Sequence, residues 1–150
     1  MEKQLKVSAL KDGTVIDHIP TSALFKVIKI LKLDEEKGMV TFGNNLDSKA
    51  MGNKANVKIA NRYFEDEEIN KISLVAPHAK LNIIRNYEVI EKKVVEIPKE
   101  VTGIVRCFNP KCITNAEKIP TKFNVISDHP LELKCQYCEK ITNENHMKIN

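Results

Sequence analysis

All four cysteines of the chain lie near its C-terminal end, in two close pairs. Four residues separate the members of the first pair, two separate those of the second, and 22 residues lie between the pairs. Each pair can bring two thiolates to one cation, and the intervening segment can bring the pairs together. The pattern therefore predicts a closed, tetrahedral, structural zinc site with four ligands: Cys107, Cys112, Cys135 and Cys138.

Two disulfides, or a redox role for Cys135 and Cys138, are the alternatives to zinc. The first residues, Met1 to Lys6, contain no apolar segment of the kind that a signal peptide needs, so we expect a cytoplasmic location. Disulfides are rare there. No βαβ pattern surrounds the second pair, and the first pair is available to complete a metal site. Zinc is therefore the favoured interpretation.

Composition and charge exclude several classes of protein. Of the 150 residues, 42% are hydrophobic, and no apolar run is long enough to cross a membrane. The net charge of +4 is spread evenly: Lys and Arg outnumber Asp and Glu by 17 to 15 in residues 1–100 and by 7 to 5 in residues 101–150. A nucleic-acid-binding protein usually has a denser basic surface. We expect neither a membrane nor a nucleic-acid partner.

Hydrophobic periodicity in the first two thirds of the chain predicts an α+β domain over residues 1–97. The order is strand, helix, two strands, helix, two strands, which is typical of an antiparallel sheet covered by two helices, a ferredoxin-like sandwich. Thr21 or Ser22 is expected to cap the first helix, and residues 44–53 are expected to form a polar loop. The predicted strands are 5–10 with 14–20, 39–43, 56–60, 81–84 and 87–90, and the predicted helices are 23–33 and 65–76.

Residues 98–150 predict a second, small, all-β domain of the zinc-ribbon kind. Short apolar runs flank the two cysteine pairs, and residues 92–100 are expected to connect the two domains. About fifty residues with few large apolar side chains bury little surface, so we expect the metal to stabilise this fold.

Several motifs together resemble one family, the regulatory chain of aspartate carbamoyltransferase. The first is the segment from Gly13 to Pro20, the second is the segment from Asn82 to Val89, and the third is the cysteine pattern ending at Lys140. The resemblance covers essentially the whole chain. It implies a non-catalytic subunit of pyrimidine biosynthesis, whose first domain binds nucleotides and pairs with a second regulatory chain. It also implies that the zinc domain docks on trimers of the catalytic chain.

The resemblance also implies which residues bind CTP and ATP, and it leaves open whether UTP acts alongside CTP. Lys58 and Lys92 correspond to the family's phosphate-binding lysines, with Lys54 nearby, and Asp17 and His18 correspond to the ribose and phosphate end. The base and ribose pocket corresponds to Val7, Ala9, Leu10, Asn82, Ile84, Tyr87 and Val89.

Two positions depart from the family pattern. Ser8 stands where Glu is common, which bears on base preference, and Lys111 stands where a small polar residue is common, which bears on the contact with the catalytic chain. The resemblance implies that Asn109, Glu139 and Lys140 form that contact.

Two further hypotheses compete with an allosteric subunit. A zinc-ribbon nucleic-acid-binding protein is disfavoured by the 7-to-5 charge count in residues 101–150. An enzyme is disfavoured because four thiolates leave zinc no open position for water, and the sequence shows no nucleophile motif.

Overall fold

The computed structural model describes residues 10–150, and these form two compact units. The first ends at Glu96 and the second begins at Ile97. Both are built on antiparallel strands with few helices, so the chain has the predicted α+β class. None of the helices formed by the described residues has the length and apolarity needed to span a bilayer.

From β1 onwards, the first unit follows the predicted order of strands and helices, whereas residues 5–9 of the predicted strand 5–10 lie outside the described residues. Two short 3₁₀ turns, Thr21–Ala23 and Leu33–Glu35, flank the first helix, and a third, Lys71–Leu74, continues the second. The elements are β1 (Gly13–Ile19), α1 (Leu24–Ile30), β2 (Val40–Ser48), β3 (Gly52–Ala60), α2 (Asp66–Asn70), β4 (Lys80–Arg85) and β5 (Glu88–Val94).

These five strands form one antiparallel sheet in the order β2-β3-β1-β4-β5. Side chains alternate between its two faces, so each strand contributes to both. One face packs against α1 and α2, and its buried side chains include Ile16, Val57 and Leu81. The main hydrophobic core therefore lies on the helix side of the sheet, and the other face carries the intervening residues. We call that other side the open face.

The helices are shorter than predicted. α1 ends at Ile30, and Lys32 adopts a left-handed conformation with φ 54°, which terminates the helical run. The predicted caps are wrong, because neither Thr21 nor Ser22 makes a side-chain capping hydrogen bond. α2 begins with a capping box between Glu65 and Glu68, which satisfies two backbone N–H groups at its first turn.

The predicted loop 44–53 is wrong, because β2 and β3 extend through it and pair from Val40 with Ile59 to Ser48 with Gly52. The register shifts between Gly43 and Leu46, which marks a bulge. Polar residues suit this position because β2 is an edge strand and needs apolar side chains on one face only. Likewise β5 continues to Val94, into the predicted connection.

At Gly13 the close approach of two strands requires glycine. Its φ is 144°, and a Cβ added there would lie 2.2 Å from the carbonyl oxygen of Ile59. β1 therefore approaches β3 more closely at this point than any side chain permits.

The second unit contains two small sheets and one helical turn. The larger sheet has the strand order β10-β9-β8-β6, and β11 pairs with β7 in the smaller. Its apolar centre is small and includes Val101, Phe123 and Leu133. The elements are β6 (Glu100–Thr102), β7 (Val105–Arg106), α3 (Ile113–Ala116), β8 (Lys122–Asp128), β9 (Leu131–Cys135), β10 (Ile141–Asn143) and β11 (Lys148–Ile149).

Candidate functional site

The second unit brings the four cysteines together. Their sulfur atoms all lie within 4.8 Å of one another. The Sγ atoms of Cys107 and Cys138 are 3.7 Å apart, as are those of Cys112 and Cys135. A tetrahedral zinc ion with Zn–S bonds of about 2.3 Å separates its sulfurs by about 3.8 Å. The cluster therefore fits one tetrahedral metal ion.

Local structure positions each cysteine. Cys107 directly follows β7, Cys112 precedes the first residue of α3, and Cys135 ends β9. The second pair lies in a tight turn, in which the N–H of Glu139 donates to the carbonyl oxygen of Cys135 and Glu139 has φ 64°. Turns of this kind place two sulfurs on the same side of the backbone.

Short hydrogen bonds stabilise the sulfurs of Cys112 and Cys135. The hydroxyl of Thr114 donates to Sγ of Cys112 at 3.2 Å, and the backbone N–H groups of Tyr137 and Cys138 donate to Sγ of Cys135 at 3.4 and 3.5 Å. Such donors stabilise negative charge on a thiolate, the form that binds a metal.

Burial makes this cluster unfavourable for unpaired thiolates. It raises the pKa of Cys107 well above that of an exposed thiol, and it raises the pKa of Cys135 as well. At Cys138, burial has the same effect but is outweighed by hydrogen bonds from the backbone of Lys140 and from neighbouring side chains, which lower its pKa to about 7. A divalent cation would offset half of the negative charge of four thiolates in this environment, and with four protein ligands its role would be structural.

The residues predicted to form the contact with a partner chain lie at the two cysteine turns. Asn109 is held in place, since its Oδ1 accepts from the N–H of Lys111 and its carbonyl oxygen accepts from Asn115. Glu139 and Lys140 are exposed directly after Cys138.

A row of cross-strand partners crosses the open face of the first unit. Thr41 pairs with Lys58, Lys58 with Val15, Val15 with Asn82, and Asn82 with Lys92. Directly paired residues point to the same face of a sheet, so five strands contribute one side chain each to this row. Adjacent strands lie about 4.8 Å apart, which places Lys58 and Lys92 about 14 Å from each other. The two predicted phosphate-binding lysines thus flank a shallow surface formed by Val15 and Asn82.

A second row lies two residues further along the same face. Asp17 pairs with Lys80, and Lys80 with Val94. Together with His18, Asn82, Lys92 and Lys93, these residues line a cavity of about 410 Å³. Neither Lys80 nor Lys92 forms an ion pair with any residue between 10 and 150, whereas Nζ of Lys93 lies 3.0 Å from Oδ1 of Asp66. The cavity therefore contains two cationic side chains without a counterion from the described part of the chain.

Asp17 organises one end of this cavity. Its Oδ1 accepts from the backbone N–H of His18 at 2.7 Å, where His18 has φ 60° and the pairing of β1 with β3 is interrupted by a bulge. Its Oδ2 accepts from Nζ of Lys54 at 2.9 Å and lies 3.7 Å from Nδ1 of His18. The latter distance is too long for a hydrogen bond, and Nδ1 of His18 is buried without a partner.

The opposite end of the open face is more apolar. Gly13 pairs with Ile84, and Ile84 with Val89. Tyr87 occupies the turn between β4 and β5, and its N–H donates to the carbonyl oxygen of Lys11. Its side chain is exposed, as is that of Val89, while Leu10 is half-buried and Ile84 is buried. Val7 and Ala9, as well as Ser8, lie outside the described residues.

Two residues of this face were absent from the sequence-based set. Lys80 lies in the cavity beside Asn82 and Lys92, and Thr41 lies at the edge of the row, beside Lys58. Lys80 directly precedes the predicted strand 81–84 and is two residues from Asn82 along β4. The period of two along a strand was therefore the signal that could have identified it.

Comparison with known proteins covers both units. The sequence model of the aspartate carbamoyltransferase regulatory chain, allosteric domain, matches residues 5–96, and that of its metal-binding domain matches residues 99–148.

Individual relatives match over nearly the full length of both chains. The aspartate carbamoyltransferase regulatory chain of Bacteroides thetaiotaomicron is 57% identical over 139 residues, covering 93% of this chain and 91% of the relative. That of Phocaeicola vulgatus is 52% identical over 148 residues, covering 99% and 96%. That of Pyrococcus abyssi is 52% identical over 149 residues, covering 98% of each.

Proposed function

The chain belongs to the family of aspartate carbamoyltransferase regulatory chains, and on this premise we propose that it is a non-catalytic subunit whose first unit binds nucleotide effectors. One observation carries the proposal. The face of the sheet that no helix covers carries Lys58, Lys80 and Lys92 together with His18, next to a cavity of nucleotide-compatible size.

The two ends of the open face suit the two ends of a nucleoside triphosphate. A triphosphate carries several negative charges, and lysines on separate strands can hold it as flexible point charges without a Gly-rich loop. The more apolar end, with Ile84, Tyr87 and Val89, suits the base and ribose. We propose that CTP and ATP compete for this site and that UTP is a further ligand.

We propose that the second unit binds one structural zinc ion and docks on the catalytic chain. The four-sulfur cluster supports zinc through its spacing and its N–H and O–H donors. With all four positions filled by sulfur, such an ion cannot activate water, which supports a non-catalytic role. The exposed Glu139 and Lys140, with Asn109, are the proposed contact residues. Four free thiols, three of them buried, are compatible with the reducing cytoplasm, where we place the protein.

We propose that two regulatory chains pair through the edge of the sheet formed by β2. Its outer edge has no strand partner within residues 10–150. Exposed apolar side chains lie beside this edge: Phe25 and Phe42 are in edge-to-face contact with ring centroids 5.8 Å apart, and Met39 is 69% exposed. An unpaired edge with adjacent apolar surface favours association with a second copy. Regulatory dimers would then bridge catalytic trimers.

In this assembly, a nucleotide regulates the catalytic chain through linkage. It shifts the equilibrium between two states of the complex only if it binds them with different affinities, and substrate then affects nucleotide binding by the same factor.

The test is to mix the zinc-loaded chain with the cognate catalytic trimer and record rate against aspartate, with and without CTP. A curve that responds to CTP in the mixture, but not in the trimer alone, is the expected result. A larger species on size exclusion without any response to CTP would indicate a structural partner only. Absence of a complex would refute the proposal.

A further inference from the structure

The two-stranded sheet of the second unit places two like charges side by side. Arg106 of β7 and Lys148 of β11 are direct cross-strand partners, so their side chains point to the same face. Like charges at such positions destabilise a strand pair. Both side chains are exposed, and neither forms an ion pair with any residue between 10 and 150. This arrangement leaves an unbalanced positive charge on the unit.

The pair borders a cavity of about 480 Å³ that contains no acidic side chain. His146 and the amides of Asn115 and Asn145 also line it. The ring of His146 lies over that of Phe108, with centroids 4.4 Å apart. The polar lining therefore consists of cationic, imidazole and amide groups, which complement an anion, together with the sulfur of Cys107.

Arg106 is oriented by the first cysteine turn. Its Nε donates to Oδ1 of Asn115 at 3.3 Å, and Nδ2 of Asn115 donates to the carbonyl oxygens of Cys107 and Asn109 at 3.0 and 2.7 Å. Anchoring through Nε leaves the two terminal nitrogens of the guanidinium for a second group. Two parallel N–H donors are the arrangement that binds a carboxylate with both oxygens.

Exposed apolar side chains lie near both cysteine turns. They are Phe108 at 53%, Ile113 at 41%, Tyr137 at 41% and Ile141 at 48% exposure. The two turns converge on one sulfur cluster, so these side chains belong to the segments that carry it. Apolar and aromatic side chains next to a cationic cavity are typical of a protein interface, whereas a site for a small free anion is more enclosed.

The two charges do not serve the cysteine cluster directly. Within residues 10–150, neither Arg106 nor Lys148 contacts a cysteine sulfur, whereas Thr114, Asn109 and backbone N–H groups donate to the sulfurs.

We infer that the cavity between Arg106, His146 and Lys148 receives a carboxylate side chain from the surface of the catalytic chain. The inference rests on the proposed docking of the second unit on the catalytic chain, and it identifies an ion pair that contributes to that docking. The guanidinium binds the carboxylate with two hydrogen bonds, Lys148 supplies the second charge, and the apolar side chains exclude water around the contact. Such ion pairs make association sensitive to ionic strength.

The experiment compares the assembly of full-length, zinc-loaded variants with the catalytic trimer, measured as Kd over a series of NaCl concentrations. In the double variant Arg106→Gln/Lys148→Gln, we expect Kd to rise at least about tenfold at low salt and to depend less on salt than in the parent chain. Lys118→Gln/Lys122→Gln removes the same charge from exposed sites outside the cavity and is the matched control. Zinc content is measured for every variant. Lys148→Gln alone provides a second test at a fully exposed position.

The possible outcomes distinguish a failure of this inference from a failure of the proposed function. If the parent chain assembles but the double variant keeps the affinity and salt dependence of the control, the inference is wrong and the proposed function stands. Loss of zinc from the double variant would also overturn it, because the charges would then serve the metal centre. A parent chain that does not assemble at all would refute both.

Discussion

Nζ of Lys54 lies 2.9 Å from Oδ2 of Asp17, and both side chains are 21% exposed, so the charge of this lysine is compensated within the protein. Lys92 projects from the same face without an ion-pair partner in the described residues. Lys54 and Lys92, which the sequence analysis assigns to the same site, therefore differ in how much positive charge is available to bind an anion.

This difference predicts unequal effects of alanine substitution. Lys92→Ala should raise the Kd for CTP and ATP about tenfold or more, since a hydrogen bond to a charged group contributes about 1.5–3 kcal/mol. Lys54→Ala should raise it less, because removing that lysine removes a charge that Asp17 already balances. Isothermal titration calorimetry on both variants checks this, with thermal unfolding as the control for folding. Equal losses for the two variants would contradict the assignment.

Lys80 is expected to recognise the phosphate chain. Its side chain lies in the cavity with Lys92, without a counterion among the described residues, so Lys80→Gln should weaken triphosphate binding more than monophosphate binding. The measurement is the ratio of the Kd values for CTP and CMP. Lys26→Gln, on the exposed surface of α1, is the matched control. An unchanged ratio in Lys80→Gln would exclude a role in phosphate recognition.

Removal of the metal is expected to unfold one unit only. Cys112→Ser, or treatment with a chelator, should release zinc and unfold residues 97–150, because apparent zinc binding contributes about 10–16 kcal/mol to the folding of comparable small domains. The first unit has its own core and should keep its fold and its nucleotide affinity. Limited proteolysis and circular dichroism follow the unfolding, and calorimetry follows the nucleotide. If nucleotide affinity were lost together with zinc, the two units would not fold independently.

Thr114 is expected to tune the affinity for the metal. Its buried hydroxyl donates to Sγ of Cys112, so Thr114→Val should weaken zinc binding about tenfold while the metal-loaded fold persists. Thr114→Ser keeps the hydroxyl and is the conservative comparison. Competition with a chelator of known affinity measures the difference. Serine and valine variants with the same zinc affinity would show that the hydrogen bond has no such effect.

Gly13 and Gly52 should respond differently to alanine. At Gly13 a Cβ would meet a backbone oxygen at 2.2 Å, whereas at Gly52, with φ 79°, nothing lies within 4 Å. Gly52→Ala should therefore lower the free energy of unfolding only through conformational strain, by about 1–2 kcal/mol. Gly13→Ala should lower the free energy of unfolding by more, since β1 must move away from β3. Urea denaturation of the first unit compares the two, and equal costs would contradict the close approach at Gly13.

The sequence predicted the order of elements in the first unit because its core side chains alternate clearly with polar ones. It failed at residues 44–53, where an edge strand with a bulge contains mostly polar residues and so resembles a loop. It also extended α1 too far, because Lys32 fits a helical pattern and nothing in its identity indicates a left-handed conformation. Such features depend on the neighbouring strands and are not encoded locally.

The residues of the candidate site were likewise predictable only in part. The convergence of the four cysteines was predictable because their spacing is typical of a metal site. The open face was identified through resemblance to a family, since lysines such as Lys58 and Lys92 look like ordinary surface residues. Lys80 was missed, and only the register of β4 with β1 and β5 shows that it shares a cavity with Lys92.

The alternation of faces in the sheet has a consequence for how such a chain can diverge. On β4, Leu81 is buried in the core while Asn82 and Lys80 point to the open face. Mutations on the open face can therefore accumulate and change ligand preference at little cost in stability, while the core-facing positions stay under constraint. Descendants of one ancestral sheet can thus acquire different effector responses through single substitutions, with the scaffold inherited unchanged.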